Sequence, residues 1–393
     1  MGDGQLLDLM KPAISDLDEL LKQEPARLVA AVQKRIRAKL EQHSGLLLFG
    51  TGELGRITLD NLRRIGQQPL AFADNNPTLA GTELRGVPIL LPGAAAAQFP
   101  AALFAITLYT NEPVRRQLER MGCQFITFAE LAWCYPETFL PRVGLELPHK
   151  IFAEAADVRA AFHLWADEAS RQEYLGQIAW RSTLDSSVLP PHARAEDTYF
   201  PSDLFDLAPD EVLVDCGAFD GDSIRAFLQR TGNSFKAAVA LEPDPVTRIR
   251  FEKWRDTLPS AQAARIHLLP YATGDKRETL SFHSAGAATS AIGSGRLQVE
   301  SLPLDESVAQ FAPSFIKMDI EGAEPATVQG SRRIMCEQKP ILAVCLYHAQ
   351  EHLWQIPLLV KSLNPSYQLF LRRYADECWE LVCYAVPRER CKS

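Results

Sequence analysis

Between Glu211 and Ser223 the chain reads Glu-Val-Leu-Val-Asp-Cys-Gly-Ala-Phe-Asp-Gly-Asp-Ser. Val212 to Val214 has the pattern of a short buried strand, Gly217 and Gly221 break it, and Ser223 to Arg230 puts Ile224, Phe227 and Leu228 on one helical face. A strand, a glycine turn and a helix form a nucleotide cradle. The glycine admits a ligand close to the backbone, and the helix N-terminus points free N–H groups at the turn. Such a unit belongs to an open α/β sheet whose ligands bind at the carboxyl ends of its strands.

A chain of 393 residues exceeds one average domain, so two or more are expected. Lys+Arg 41 against Asp+Glu 49 gives a net charge of −8, and no basic stripe is present, which argues against nucleic acid as a partner. The longest apolar runs are strand-sized, so no membrane span is expected, and the acidic, polar N-terminus is unlike a signal peptide. Eight cysteines are scattered without any Cys-x-x-Cys, mostly inside apolar runs. That usage suits a reducing cytoplasm, with neither a zinc site nor a disulfide framework.

Four segments follow. Residues 1–44 are an N-terminal helical segment, with an apolar stripe from Ile14 to Leu40 broken near Pro25. Such a stripe packs on a neighbour or joins subunits of a homo-oligomer. Residues 45–135 alternate strand and helix as a small Rossmann-like accessory domain. Here Gly50-x-Gly52-x-x-Gly55 follows a strand and opens a helix, and Asp74 stands at the ribose-binding position about 20 residues on. NAD or a nucleotide-sugar would fit this pattern. The domain lacks a Tyr-x-x-x-Lys base, however, and residues 73–90 resemble nucleotide-fold accessory domains of sugar-modifying enzymes. A structural or oligomerising role is the favoured reading. Residues 136–210 form a linker and helical bridge, and 211–393 a second α/β domain. Its strands are expected at 211–215, 237–241, 265–269, 315–319, 340–347, 367–373 and 378–385. The last two lack an intervening helix and predict a hairpin.

In the second domain Glu242 closes the second strand, 25 residues after Gly217, where a carboxylate can accept from both hydroxyls of a ribose. NAD and S-adenosylmethionine sites share that feature. The turn separates them: Asp215 precedes it and Asp220 lies within it, and carboxylates there repel a pyrophosphate but favour an ammonium or sulfonium cation. Further on, alternation along Phe315–Glu321 sends Lys317, Asp319 and Glu321 to one face. Three charges at a strand's carboxyl end are costly if buried unpaired, so they mark either a site or a Lys317–Asp319 ion pair shaping the loop. His348 ends the next strand, where a packed residue and a proton acceptor are both open readings.

Asp215-Cys-Gly-Ala-Phe-Asp-Gly221, Leu241-Glu-Pro-Asp244, Phe315-Ile-Lys-Met-Asp-Ile-Glu-Gly-Ala-Glu324 and Tyr347-His-Ala-Gln-Glu-His-Leu-Trp-Gln-Ile-Pro357 together resemble the FkbM-type methyltransferases, over about residues 210–386. The resemblance implies a class I methyltransferase sheet ending in an antiparallel hairpin. It implies methyl transfer from S-adenosylmethionine to a hydroxyl of a sugar, glycan or polyketide-like acceptor. On this reading Asp215, Gly217, Ala218, Phe219, Asp220, Gly221, Glu242, Tyr271 and Ala272 hold the cofactor. Asp319, His348 and Lys317 carry the catalysis, with Asp319 as base or orienting carboxylate. Two departures stand out: His352 replaces an aspartate that the family usually carries, and Phe219 replaces the second glycine common in class I turns. The loop 284–295, with Thr289 and Ser290, is a candidate ligand contact. The alternatives are an NAD-dependent oxidoreductase or nucleotide-sugar epimerase run by the first domain, and a non-catalytic scaffold.

Overall fold

The computed structural model describes residues 16–283, 291–292, 295 and 297–392. The helical positions before 16, Thr289 and Ser290 lie outside these. The chain divides into two compact units, one comprising 1–155, 175–191 and 375–379, the other 156–174, 192–374 and 380–393. The stretch 136–210 is therefore apportioned between both. Within it, the proline-rich segment after Pro136 does not run as an extended linker. Pro136–Phe139 is helical, and Phe139 and Leu145 are buried in the first unit's core.

In the first unit the strands are β1 (Leu46–Phe49), β2 (Ala71–Ala73), β3 (Glu83–Leu84), β4 (Val87–Leu90), β5 (Leu103–Ile106) and β6 (Phe125–Thr127). They form one sheet in the order β3-β4-β2-β1-β5-β6, parallel except for the β3–β4 pair. Every residue of β1 is buried, the mark of a strand covered on both faces. The N-terminal stripe is split as its proline dictates: Leu17–Leu21 is one helix, and Pro25 sits at the start of the next, Pro25–Glu41, where its missing N–H has no partner to lose. Val29, Val32 and Ile36 of that helix are buried against Leu62, Trp133 and other core residues of the same unit. The apolar face expected to join subunits is thus covered within its own unit.

The second unit holds β7 (Val212–Cys216), β8 (Ala237–Leu241), β9 (Ile266–Leu269), β10 (Ala272–Thr273), β11 (Glu278–His283), β12 (Ala291–Ile292), β13 (Leu297–Leu302), β14 (Phe315–Met318), β15 (Ile341–Cys345), β16 (Tyr367–Arg373) and β17 (Leu381–Pro387). Seven of them form a sheet in the order β16-β17-β15-β14-β7-β8-β9. It is parallel from β15 to β9, and the expected antiparallel hairpin β16–β17 closes the other edge. Chain order reverses beside β7, and that switch point is where an open sheet leaves a crevice beyond its carboxyl ends. A second small sheet, β10-β13-β11-β12, has no counterpart in the sequence reading. Its strands are short, and β10 has only two residues, too few for alternation to register. No helix among the described residues is long and apolar enough to cross a membrane.

Candidate active site

A cavity of about 520 Å³ opens at the carboxyl ends of β7, β8 and β14. Its wall combines apolar groups, among them Phe219, Leu241, Tyr271, Ala272 and Phe282, with the charged residues Glu196, Asp222, Glu242, Lys317, Asp319, Glu321 and Glu380. Six carboxylates against one ammonium make this a pocket suited to cations.

The β7 turn builds one side. Gly217 has φ +77°, and a Cβ there would come within 2.1 Å of the Asp319 carbonyl oxygen. Gly221 has φ +90°, and a Cβ would meet the Trp254 ring at 2.7 Å. Both glycines are required by neighbouring parts of the chain, so ligand approach is not what demands them. Ala218 is fully buried. Phe219 takes a positive φ of 45° and donates its N–H to Glu242 Oε2 at 2.9 Å, while Asp244 N–H donates to Oε1 at 2.7 Å. These two bonds aim Glu242 and leave each oxygen a further lone pair. Burial raises the Glu242 pKa, opposed by the N–H donors of Asp244 and Phe219.

The two acids expected to face a cation do not line the cavity. Asp215 is fully buried with Lys317 Nζ at 3.0 Å from its Oδ1. Asp220 is ion-paired with Arg225, which lies over the Trp254 ring. The carboxylate that the turn does place in the cavity wall is Asp222, at the first position of the helix Asp222–Arg230. Its Oδ1 accepts the Ser223 N–H at 2.7 Å. A carboxylate there occupies the place where a dinucleotide fold receives a pyrophosphate. The helix's first residue reaches the cavity wall, whereas Asp220 turns to Arg225 of its own helix.

On the other side stands β14. Lys317 and Asp215 are directly paired in the β7–β14 register. Lys317 Nζ also donates to Gly217 O at 2.9 Å and lies 5.3 Å from the centre of the Tyr199 ring. Burial lowers its pKa, but Asp215 and Asp319 outweigh that and keep it charged. Burial pushes Asp215 up to about 6, with Lys317 pulling it down. Lys317 thus pairs with Asp215, and the alternative reading of a Lys317–Asp319 pair is not what the structure shows. Asp319 instead accepts from two phenols, Tyr199 OH at 2.9 Å and Tyr347 OH at 3.0 Å. Burial raises its pKa and Lys317 and His348 lower it, for a net lowering that keeps it ionised. Both phenols are pushed up, by burial first and by Asp319 next, so they stay protonated donors.

His348 is buried among acids: Nδ1 is 2.7 Å from Glu324 Oε1, and Nε2 is 3.3 Å from Asp319 Oδ1 and 3.8 Å from Glu321 Oε2. Burial lowers its pKa, but Glu324 and Asp319 dominate and raise it to about 9. The surrounding carboxylates favour the protonated ring, which works against His348 as a proton acceptor toward the acceptor hydroxyl. His352 Nδ1 lies 3.5 Å from Glu324 Oε2. Glu324 is itself held by the N–H groups of Ile320 at 2.9 Å and Gly322 at 3.1 Å. Glu321 bends into the cavity with a φ of 54°. Positive φ at both Phe219 and Glu321 stores backbone strain on the two walls of one pocket, a placement typical of functional sites.

Tyr199, Asp222, Glu380 and the role of Tyr347 were missed in the sequence. Asp222 and Tyr347 lay in quoted motifs, and their positions at a helix start and a strand end were the available signals. Tyr199 is 120 residues from Asp319 and carries no local signal.

In the first unit, Gly50 has φ +108°, and a Cβ on Gly55 would come within 2.0 Å of Gly50 O, which explains both glycines by packing. A Cβ on Gly52 would meet nothing within 4 Å. Asp74 already accepts three donors of the chain itself: Thr51 N at 3.1 Å, Thr51 Oγ1 at 2.7 Å and Asn76 N at 2.9 Å.

The family match falls almost entirely on the second unit, whereas the match to a solved structure extends over most of the chain. A family model described as the methyltransferase FkbM domain matches residues 215–378. Among solved structures, a methyltransferase FkbM from Methylobacillus flagellatus KT is 21% identical, with a TM-score of 0.71 over 92% of this chain and 100% of that one. An rRNA methylase from Streptococcus thermophilus is 10% identical, with a TM-score of 0.30 over 49% of this chain and 92% of that one, too low a score to bear on the fold. Comparison with curated proteins returned no match. The turn, the acid on β8 and the charged end of β14 all lie within the matched residues, so residues 215–378 are an FkbM-type methyltransferase domain and the protein is a methyltransferase.

Proposed function

We propose that the protein transfers a methyl group from S-adenosylmethionine to a hydroxyl of a sugar, glycan or polyketide-like acceptor. The observation that carries this reading is the cavity wall: Glu242 is aimed by two N–H donors on one side, and Asp319 by two phenols on the other. The donor set fits the cofactor. Glu242 has lone pairs left for the two ribose hydroxyls, Tyr271, Ala272 and Phe282 offer apolar surface for a flat base, and Asp222 opposes a cation where a pyrophosphate would be repelled. Bound there, the cofactor supplies an electrophilic methyl on a sulfonium.

The chain's own residues then have separable tasks. Lys317 is engaged by Asp215 and the Gly217 carbonyl, and it fixes the turn against β14. Tyr199 and Tyr347 hold Asp319 in one orientation. Asp319 orients the acceptor hydroxyl and takes its proton. A carboxylate suffices although its pKa is lowered, because the hydroxyl proton becomes strongly acidic as the carbon–oxygen bond forms. A positioned base is worth ~10²–10⁴-fold, and alignment of the reactants about 7–11 kcal/mol more.

Calorimetry with S-adenosylhomocysteine tests the cofactor. Wild type should bind, and Glu242→Ala should bind at least about tenfold more weakly, since hydrogen bonds to a charged group contribute about 1.5–3 kcal/mol. No binding to wild type would defeat the proposal. For the acceptor side, labelled methyl transfer to sugar and glycolipid pools should fall ~10²–10⁴-fold in Asp319→Asn while S-adenosylhomocysteine affinity holds.

A further inference from the structure

The cluster behind Asp319 has a composition that methyl transfer by itself does not require. Asp319, Glu324 and His348 each offer a ligand atom, and these atoms lie within 4.8 Å of one another. The His348 side chain is 1% exposed, and neither ring nitrogen makes a hydrogen bond of normal geometry although carboxylate oxygens crowd both. It is a buried ring with carboxylates against both nitrogens, and a divalent cation bound there would take the place of the ring proton as the charge that balances them.

We propose that Asp319, Glu324 and His348 hold a divalent metal ion at the floor of the cavity, with Glu321 as a neighbouring carboxylate. One imidazole and two or three carboxylates suit a first-row cation that accepts both nitrogen and oxygen, and Mn²⁺ matches that set well. The ligands are already oriented from behind, as metal ligands usually are. Glu324 is fixed by the N–H groups of Ile320 and Gly322, and Asp319 by the phenols of Tyr199 and Tyr347. Each of these bonds leaves lone pairs on the carboxylates for the ion.

The arrangement is open on one side. Glu324 and His348 are buried, whereas the side chains of Asp319 and Glu321 are 24% and 22% exposed and line the cavity. The free coordination positions therefore face the acceptor. Two adjacent oxygens of the acceptor, as in the vicinal diol of a sugar or an α-hydroxy-carbonyl group, would fill them and be held at fixed orientation. This selects a chelating acceptor from the broader class of hydroxyl compounds. That part rests on the methyl-transfer reading, whereas the metal site itself does not.

The test uses Mn²⁺ alone, with the full chain purified and stripped with chelator. The electron paramagnetic resonance signal of free Mn²⁺ should fall on adding wild-type protein, with one ion bound per chain. Glu324→Gln keeps an oxygen to accept the loop N–H groups, and His348→Gln keeps a polar side chain without the imidazole nitrogens. Each should weaken Mn²⁺ binding at least tenfold while S-adenosylhomocysteine binding persists, which also reports that the variants fold. An undiminished signal with wild type at millimolar Mn²⁺ overturns the proposal, since His348 is then an imidazolium among acids and nothing more. Equal binding by wild type and both variants overturns it as well, because the ion then sits elsewhere. Mn²⁺ binding that is lost in the variants sustains the site even if S-adenosylhomocysteine never binds, and in that case only the methyl-donor reading fails.

Discussion

Glu377 shows how much one buried acid can impose on stability without any part in the chemistry. Burial pushes its carboxyl up to about 7, and Arg115 and the Asn111 side chain oppose the shift only in part. Its pKa in the folded chain lies above the unfolded value, so the native state binds the extra proton between roughly pH 4.5 and 7. The stability tied to that proton is fully present below the unfolded pKa and is lost as pH rises through the folded one, an effect of about 3 kcal/mol. Glu377→Gln should therefore melt at higher temperature than wild type at pH 8, and the advantage should shrink to nothing near pH 4.5. Thermal melts across that range check the sign. Nothing near residue 377 in the sequence announces this, because the cause is burial within the first unit, and burial is tertiary.

At the scale of elements, the pairing of β7 with β14 is held by more than its ladder. The register sets Asp215 beside Lys317, and both are buried. A buried pair that loses one partner leaves an uncompensated charge, at a cost of about 3–5 kcal/mol. Lys317→Met should destabilise the protein by that amount in urea unfolding, and the double change Asp215→Leu with Lys317→Met should recover much of the loss. If the single change were harmless, Lys317 would not be the clamp that the geometry makes it. The two strands were readable from their apolar runs, Val212–Val214 and Phe315–Met318. That Lys317 would choose Asp215 over Asp319 was not, since alternation places a side chain on a face and only strand register chooses its neighbour.

At the scale of the whole molecule, each unit draws on distant stretches of chain. Residues 156–174 belong with the second unit, where Ser170 Oγ accepts the Leu371 N–H at 2.8 Å, Arg372 pairs with Asp167 at 2.7 Å, and Arg373 pairs with Glu173 at 2.8 Å. Trp165 is buried there as well. A fragment beginning at 192 removes Glu173 from Arg373 and Asp167 from Arg372, whereas one beginning at 156 retains both pairs. The shorter fragment should lose about 3–5 kcal/mol. It should melt roughly 10 °C lower, at the ~2–4 °C per kcal/mol expected for this size. Equal melting temperatures would show that the segment contributes little to the unit. A boundary drawn at 211 from strand patterns could not have found this, because helical periodicity marks a helix without saying which core it joins.

Periodicity and punctuation are local, and what depends on them was legible in the chain: two α/β units, the strand–turn–helix starting at β7, the closing hairpin, and Glu242 and Asp319 at strand ends. The residues around those two acids were decided by tertiary structure. Tyr199 comes from a segment with no motif, Asp222 and not Asp215 or Asp220 lines the cavity wall, and His348 sits in an acidic cluster because three carboxylates from one loop and helix start converge on it. The physical reason is the same throughout. Sequence spacing specifies which way a backbone runs and which residue types it carries, whereas pKa, pairing and solvent access are set by atoms within a few ångströms, and those atoms arrive from anywhere along the chain.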